Sequence, residues 1–362
     1  MMLIAAAEAR RRWTVVVALA TTLLAACSSD ETRTAPTAAA TTTTVAGTPT
    51  TTTTSNTTAN STATTTANTT ANTTASEEQA TVQATVAIGG GQALGLAIDH
   101  EAVWAVSFDA GVIAKVDPAT DAVLTTVELG SAASALAVDG TVWVAGYGMA
   151  AATLSEIDGA SAAVLGTHDV GELCCDLTSG GGSLWALDPA GSVTEIDLAT
   201  GDAIRAFPIE IDRNAHTNAV HFAGSLWFSS DTTMLSRLDP ESGAIDEFDV
   251  GGGVPFLARD GLLWGASATE LWAVDASGLV VERVALSNSI EVLSLELDGP
   301  DIWVGIRRPG YIGAVLRLDR ASGEVSQEFD DIDIPARMVV GFGSLWITDS
   351  GSDTLYRIGP LD

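Results

Sequence analysis

Positive charge is scarce in this chain. Its 362 residues hold 16 Lys and Arg against 46 Asp and Glu, and the formal net charge is −30. Lys115 is the single lysine, and the sequence pI is near 4.1. This excludes nucleic acid as a partner, because phosphate binding needs clustered Lys and Arg to displace counterions. A bare anionic membrane also repels such a chain. Cysteines number three and histidines four. No metal-grade Cys/His cluster, phosphate loop or nucleophile–base pair at fixed spacing stands out. Past residue 26 no apolar run approaches the roughly 20 residues of a spanning helix. What is plentiful is glycine, at 35, and tryptophan, at 9. With a mean hydropathy of +0.28, the chain has apolar surface enough to fold.

Residues 1–26 read as an address. Arg10, Arg11 and Arg12 precede an uncharged run from Trp13 to Ala26 rich in Val, Ala and Leu, which is the layout of an export signal. Its ending, Leu24-Ala25-Ala26-Cys27, resembles the bacterial lipobox. The resemblance implies cleavage before Cys27, lipid on its thiol and a membrane anchor outside the cytoplasm. Residues 27–79 then read as a tether. Thr fills 23 of the 51 positions from 28 to 78, with Ala, Asn and Ser supplying most of the rest, so no core is expected there. A flexible chain of that length spans roughly 40 Å.

From residue 80 the sequence repeats. Trp104, Trp143, Trp185, Trp227, Trp264, Trp303 and Trp346 follow one another at spacings of 39, 42, 42, 37, 39 and 43. Each follows an apolar neighbour, and Gly-Ser-Leu-Trp recurs at 182–185, 224–227 and 343–346. Each repeat also carries a short apolar strand before the Trp and a third strand after it, which in the first six ends in an Asp-led turn followed by an alternating fourth strand. The turns start at Asp117, Asp158, Asp197, Asp239, Asp275 and Asp319. Four strands per roughly 40 residues is the period of a propeller blade. The seventh repeat stops after three strands, while Val82, Ala84, Val86 and Ile88 match the outer strand Val123, Thr125, Val127 and Leu129. The expected fold is therefore an all-β, seven-bladed β-propeller over 80–362, with four-stranded blades and an N-terminal strand closing the last one.

The Gly-Ser-Leu-Trp turn, the Asp-x-x-Ser/Thr-Gly turn and the Val-rich outer strand resemble the virginiamycin B lyase-like and YVTN-type seven-bladed propellers of bacterial envelopes. The lyase resemblance implies magnesium, a His from one blade, and a Glu and His two residues apart on another. Of His100, His168, His216 and His221, none lies two residues after a Glu. The YVTN resemblance implies a binding or surface protein. The preferred reading is a non-catalytic monomer that binds a protein, glycan or small ligand. The alternative is a metal-dependent lyase or hydrolase using His216 with Glu172 or Glu291.

In a propeller, the outer-to-inner connections and the loops between second and third strands share one end of the ring, its top. Alignment on the Trp series places Gln92, Ser134, Glu172, Cys175, His216, Asn218, Glu291 and Arg337 at inner-strand entrances there. The loops add Asp109, Tyr147, Asp188, Asp231, Glu270, Arg307, Arg308, Tyr311, Asp349 and Asp353. The ligand-binding set expected from these is Arg307, Arg308, Arg337, His216, Asn218, Tyr311 and Asp349. Such oxygen-rich groups also suit a magnesium or calcium ion. His221 falls inside a strand and reads as a core residue, and the Asp-led turns read as structural. Cys174 and Cys175 are the only thiols left once Cys27 carries lipid. They form either a strained disulfide between neighbours or two small packed thiols.

Overall fold

The structure, a computed structural model, describes residues 79–147, 152–171, 176–188, 191–211, 218–229, 233–286 and 290–361. The chain divides into units Met1–Thr73 and Thr74–Asp362, and all described residues belong to the second. They form seven antiparallel four-stranded sheets. The first strand in the chain is β1 (Thr81–Ala87). Blade one is β2 (Ala93–Ile98), β3 (Val103–Ser107), β4 (Val112–Val116) and β5 (Val123–Glu128). Blade two is β6 (Ser134–Val138), β7 (Thr141–Ala145), β8 (Ala152–Asp158) and β9 (Val164–Gly171). Blade three is β10 (Asp176–Gly180), β11 (Ser183–Asp188), β12 (Ser192–Asp197) and β13 (Ala203–Pro208). Blade four is β14 (Ala219–Phe222), β15 (Ser225–Ser229), β16 (Met234–Leu238) and β17 (Ile245–Asp249). Blade five is β18 (Val254–Arg259), β19 (Leu262–Ala266), β20 (Glu270–Val274) and β21 (Val280–Ala285). Blade six is β22 (Glu291–Asp298), β23 (Asp301–Arg308), β24 (Ile312–Asp319) and β25 (Val325–Phe329). Blade seven is β26 (Pro335–Gly341), β27 (Ser344–Asp349) and β28 (Thr354–Gly359), completed by β1.

The inner strands touch in ring order, from β2 through β6, β10, β14, β18 and β22 to β26 and back to β2. The sequence expectation of seven closed blades is met. In β1, Val86 pairs with Leu355 just as Val127 pairs with Ile113 in blade one, so the N-terminal strand takes the register of an ordinary outer strand. Pairing it covers an edge of β28 that would otherwise be open to another chain.

The turns between first and second strands explain the glycines before every repeat Trp but Trp104. At Asp139-Gly140, Gly181-Gly182, Ala223-Gly224, Asp260-Gly261 and Phe342-Gly343 both central residues have positive φ. Such two-residue hairpins match the right-handed twist of the strands they join. The Asp-led turns use their carboxylates locally, as expected. Asp239 accepts from Glu241 N and Ser242 Oγ, and Asp319 accepts from Ser322 N and Ser322 Oγ. Hydrogen bonds from Ser242 and Ser322 hold the Asp239 and Asp319 carboxyls below the ordinary value.

All seven repeat tryptophans are buried, on the second strands, at 0–2% exposure. Removing one such side chain costs about 3–5 kcal/mol. Trp272, outside the series, is buried too, on β20. It pairs with Gly265, where a Cβ would fall 2.2 Å from the indole, so the missing side chain on β19 makes room for the extra ring.

Cations cover the Trp rings and knit the blades. Lys115, Arg237, Arg317 and Arg357 each sit opposite their Trp on the third strand and lie 5.4, 5.5, 5.5 and 5.6 Å from its ring. Three of them also reach the Asp-led turn of the next blade. Lys115 donates to the Gly159 and Ala160 carbonyls at 2.6 and 2.9 Å, and Arg237 to the Ala276 carbonyl at 3.1 Å. Arg357 donates to Asp121 at 3.0 Å, tying blade seven to blade one. Blade five has Ala273 at this position, and Arg320 from the turn of blade six covers Trp264 instead, at 4.7 Å. In blade two His168 packs on Trp143 with ring centroids 6.0 Å apart. A Cβ at Gly201 in the blade-three turn would lie 2.2 Å from His168 Nε2, and φ there is 71°, so both space and backbone demand glycine.

Candidate functional site

The inner strands present one polar level at the top of the channel. Ser134, Asp176, Ser294 and Arg337 each pair with the residue two places after the blade's Trp. Asn218, just before β14, continues the level in blade four. The next level down, opposite the Trp itself, is mostly apolar: Ala97, Leu136, Thr178, Val220, Leu257, Glu296 and Val339. Polar side chains on the inner strands therefore gather near the mouth.

Two members of the level meet across the ring. Arg337 Nη2 donates to Asp176 Oδ1 at 3.0 Å, although β26 and β10 belong to blades seven and three. The other Asp176 oxygen accepts from Ala219 N at 3.1 Å, on the neighbouring inner strand. Their side chains are 37% and 17% exposed, so the pair stands partly in solvent. Ser294 Oγ donates to the Pro335 carbonyl at 2.7 Å and joins blades six and seven.

The other expected arginines are also ion-paired. Arg307 reaches Glu291 at 2.6 Å and lies 5.3 Å from the Tyr311 ring. Arg308 reaches Glu328 at 2.5 Å and Asp330 at 3.5 Å. Arg283, at the same end, pairs with Glu270. Among the described residues, every arginine at the top thus has a carboxylate partner, and the surrounding acids leave the end net negative.

Two of the expected acids organise loops. Asp349 is 1% exposed. It accepts from Ile334 N at 2.8 Å, Gly351 N at 2.9 Å and Ser352 Oγ at 2.9 Å. Asp353 accepts from the backbone N–H groups of Gly89 and Gly90 and from Ser107 Oγ, fixing the chain between β1 and β2. The chain's tyrosines all reach this end. Tyr147 stands 6.4 Å from Phe108, in the second-to-third-strand loops of blades two and one. Tyr311 is 79% exposed with φ 62°. Tyr356 donates its hydroxyl to the Asp331 carbonyl at 3.0 Å, and burial, reinforced by Asp349, Asp333 and Asp331, pushes its pKa up.

Glu172, Cys174, Cys175, His216 and Asp231 lie outside the described residues, as does Cys27. The proposed disulfide and the His216-centred chemistry fall there with them. Glu291, the described member of that alternative, is held by Arg307. Among the described residues no group of three or more His, Cys, Asp and Glu side chains converges as a metal site. His221 lies in β14, as expected, stacked on Trp185 at 6.5 Å, and burial lowers its pKa.

Sequence reasoning missed Asp176 and Ser294. The signal was available: Gly95, Ser134, Asp176, Asn218, Ser294 and Arg337 all stand nine residues before the Trp of their blade. Compared with protein-family models and with curated proteins, the chain matches none.

Proposed function

We propose that the protein is an envelope lipoprotein whose propeller, held on the residue 27–79 tether through lipid at Cys27, binds a partner or ligand at its top end without turning it over. Among the described residues, the observation that carries the binding part is the polar level at the channel mouth, with Arg337 and Asp176 joined across it. At this level Arg337 and Asp176, 37% and 17% exposed, set a donor beside an acceptor where a ligand has access. The anchor rests on the resemblance of Leu24-Ala25-Ala26-Cys27 to a lipobox; two or more acyl chains suffice for stable membrane attachment.

The test is a pull-down from envelope extract with the full chain, against a variant with Arg307, Arg308 and Arg337 all changed to Ala. Selective recovery by the wild type supports the top-end reading, and equal recovery contradicts it. Fractionation tests the anchor separately. Cys27→Ala is expected to leave the membrane fraction or to retain an uncleaved signal, and a mature chain beginning elsewhere than Cys27 contradicts it.

A further inference from the structure

Resting on the binding reading above, we propose that the channel mouth takes a neutral saccharide, with Arg337 and Asp176 hydrogen-bonding neighbouring hydroxyls. An anion finds no uncommitted cation among the described residues, since Arg283, Arg307, Arg308 and Arg337 are each paired, and the net charge of −30 repels it at a distance. A cation fares little better at the mouth itself. Asp176 already serves Arg337 and Ala219 N, and Asp349 and Asp353 serve backbone N–H groups.

Among the described residues the remaining chemistry is neutral, and it mixes donors with acceptors. Asp176 accepts, Arg337 donates through a planar fork of five N–H groups, and Asn218 does both. Arg337 uses Nη2 on Asp176 and is 37% exposed, so the fork retains donors open to solvent. A sugar hydroxyl both donates and accepts, and so can bridge an Arg–Asp pair without leaving either group unsatisfied. One exposed aromatic residue at this end suits the same class of ligand. The repeat tryptophans are all spent on the core, while Tyr311, with Arg307 5.3 Å from its ring, remains 79% exposed at the same end. Aromatic ring faces pack on the C–H side of a sugar ring by dispersion.

The experiment is binding of the full chain to an array of immobilised neutral oligosaccharides built from glucose, galactose, mannose and N-acetylglucosamine, with basic and acidic peptides as further spots. The wild type should retain at least one neutral oligosaccharide. Asp176→Asn and Arg337→Gln should each weaken that retention about tenfold or more, as expected for lost hydrogen bonds to charged groups. Asn218→Ala, which leaves the ion pair intact, should weaken it too, and thermal melts identify any variant that loses the fold. Retention of peptides alone, of no oligosaccharide, or of the same oligosaccharide equally by wild type and folded variants overturns the proposal. The pull-down is independent of this outcome: selective recovery of a protein there, with an empty array, removes the saccharide and keeps the top-end reading.

Discussion

Arg337 and Asp176 meet at 3.0 Å although two blades separate them on one side of the ring and three on the other. The contact ties β26 to β10 across the channel, while the second Asp176 oxygen holds Ala219 N of blade four. The two partners are therefore unequal. Asp176→Ala should destabilise by about 1–2 kcal/mol, because it strips an acceptor from a backbone N–H as well as breaking the pair. Arg337→Ala should cost about 0.5 kcal/mol, the ordinary worth of a part-exposed ion pair. Denaturant unfolding of both single variants and the double variant checks this, and equal single costs would contradict the unequal roles.

Glu296 carries the clearest pH dependence. It is 7% exposed, and burial pushes its carboxyl above the ordinary 4.5, with Leu297 N and Arg259 opposing the rise. The folded value lies above the unfolded one. Its contribution to stability is therefore full below the ordinary value and lost as pH rises through the folded value. Glu296→Gln keeps an acceptor for Leu297 N and removes the charge, while Arg259, 45% exposed, stays hydrated. The variant should be more stable than wild type by about 1 kcal/mol at pH 7. That gain should vanish below pH 4.5, as measured by Tm at the two pH values.

Lys115 turns the scarcity of lysine into a measurable property. It is 6% exposed and donates to the carbonyls of Gly159 and Ala160. An amine-reactive ester should leave it unmodified in the folded protein and label it after unfolding, which peptide mass mapping resolves. Lys115→Met keeps the packing on Trp104 but orphans two carbonyls, at a cost of about 1–3 kcal/mol.

Much of the fold was legible because the blades reuse one solution: a Gly hairpin in six, a buried Trp in all seven and an Asp-led turn in six, each fixed by local chemistry. The closing strand was legible for the same reason, since Val82 to Ile88 copies an outer strand. The Arg337–Asp176 contact was not, because the chain between these partners, 161 positions apart, carries no periodic mark of which blades face each other. Sequence reading puts Asp349 in the ligand-binding set, and the structure has it buried, accepting from Gly351 N of its own loop and from Ile334 N of the connection before β26. Sequence alone does not tell a carboxylate that binds outward from one that caps a turn.

Closure gives a test of the architecture. Deleting residues 79–90 removes β1, leaving β28 unpaired and Gln327 without its bond to the Ala80 carbonyl. The whole ring should melt lower, in one transition, by more than 5 °C, as expected for a loss of several kcal/mol. Deleting residues 28–73 should leave Tm nearly unchanged. Calorimetry showing the same Tm for both deletions would contradict closure by β1.

The central claim is that binding occurs at the end of the propeller where Arg337 meets Asp176. Site-specific photo-crosslinking in intact cells tests it most directly, with the photoreactive residue placed either at Tyr311, 79% exposed at the top, or at Glu101, in the turn between β2 and β3 at the opposite end. The account predicts adducts, read as mass shifts of the protein, from position 311 and none from position 101. Adducts from position 101 alone, or equally from both, would contradict it.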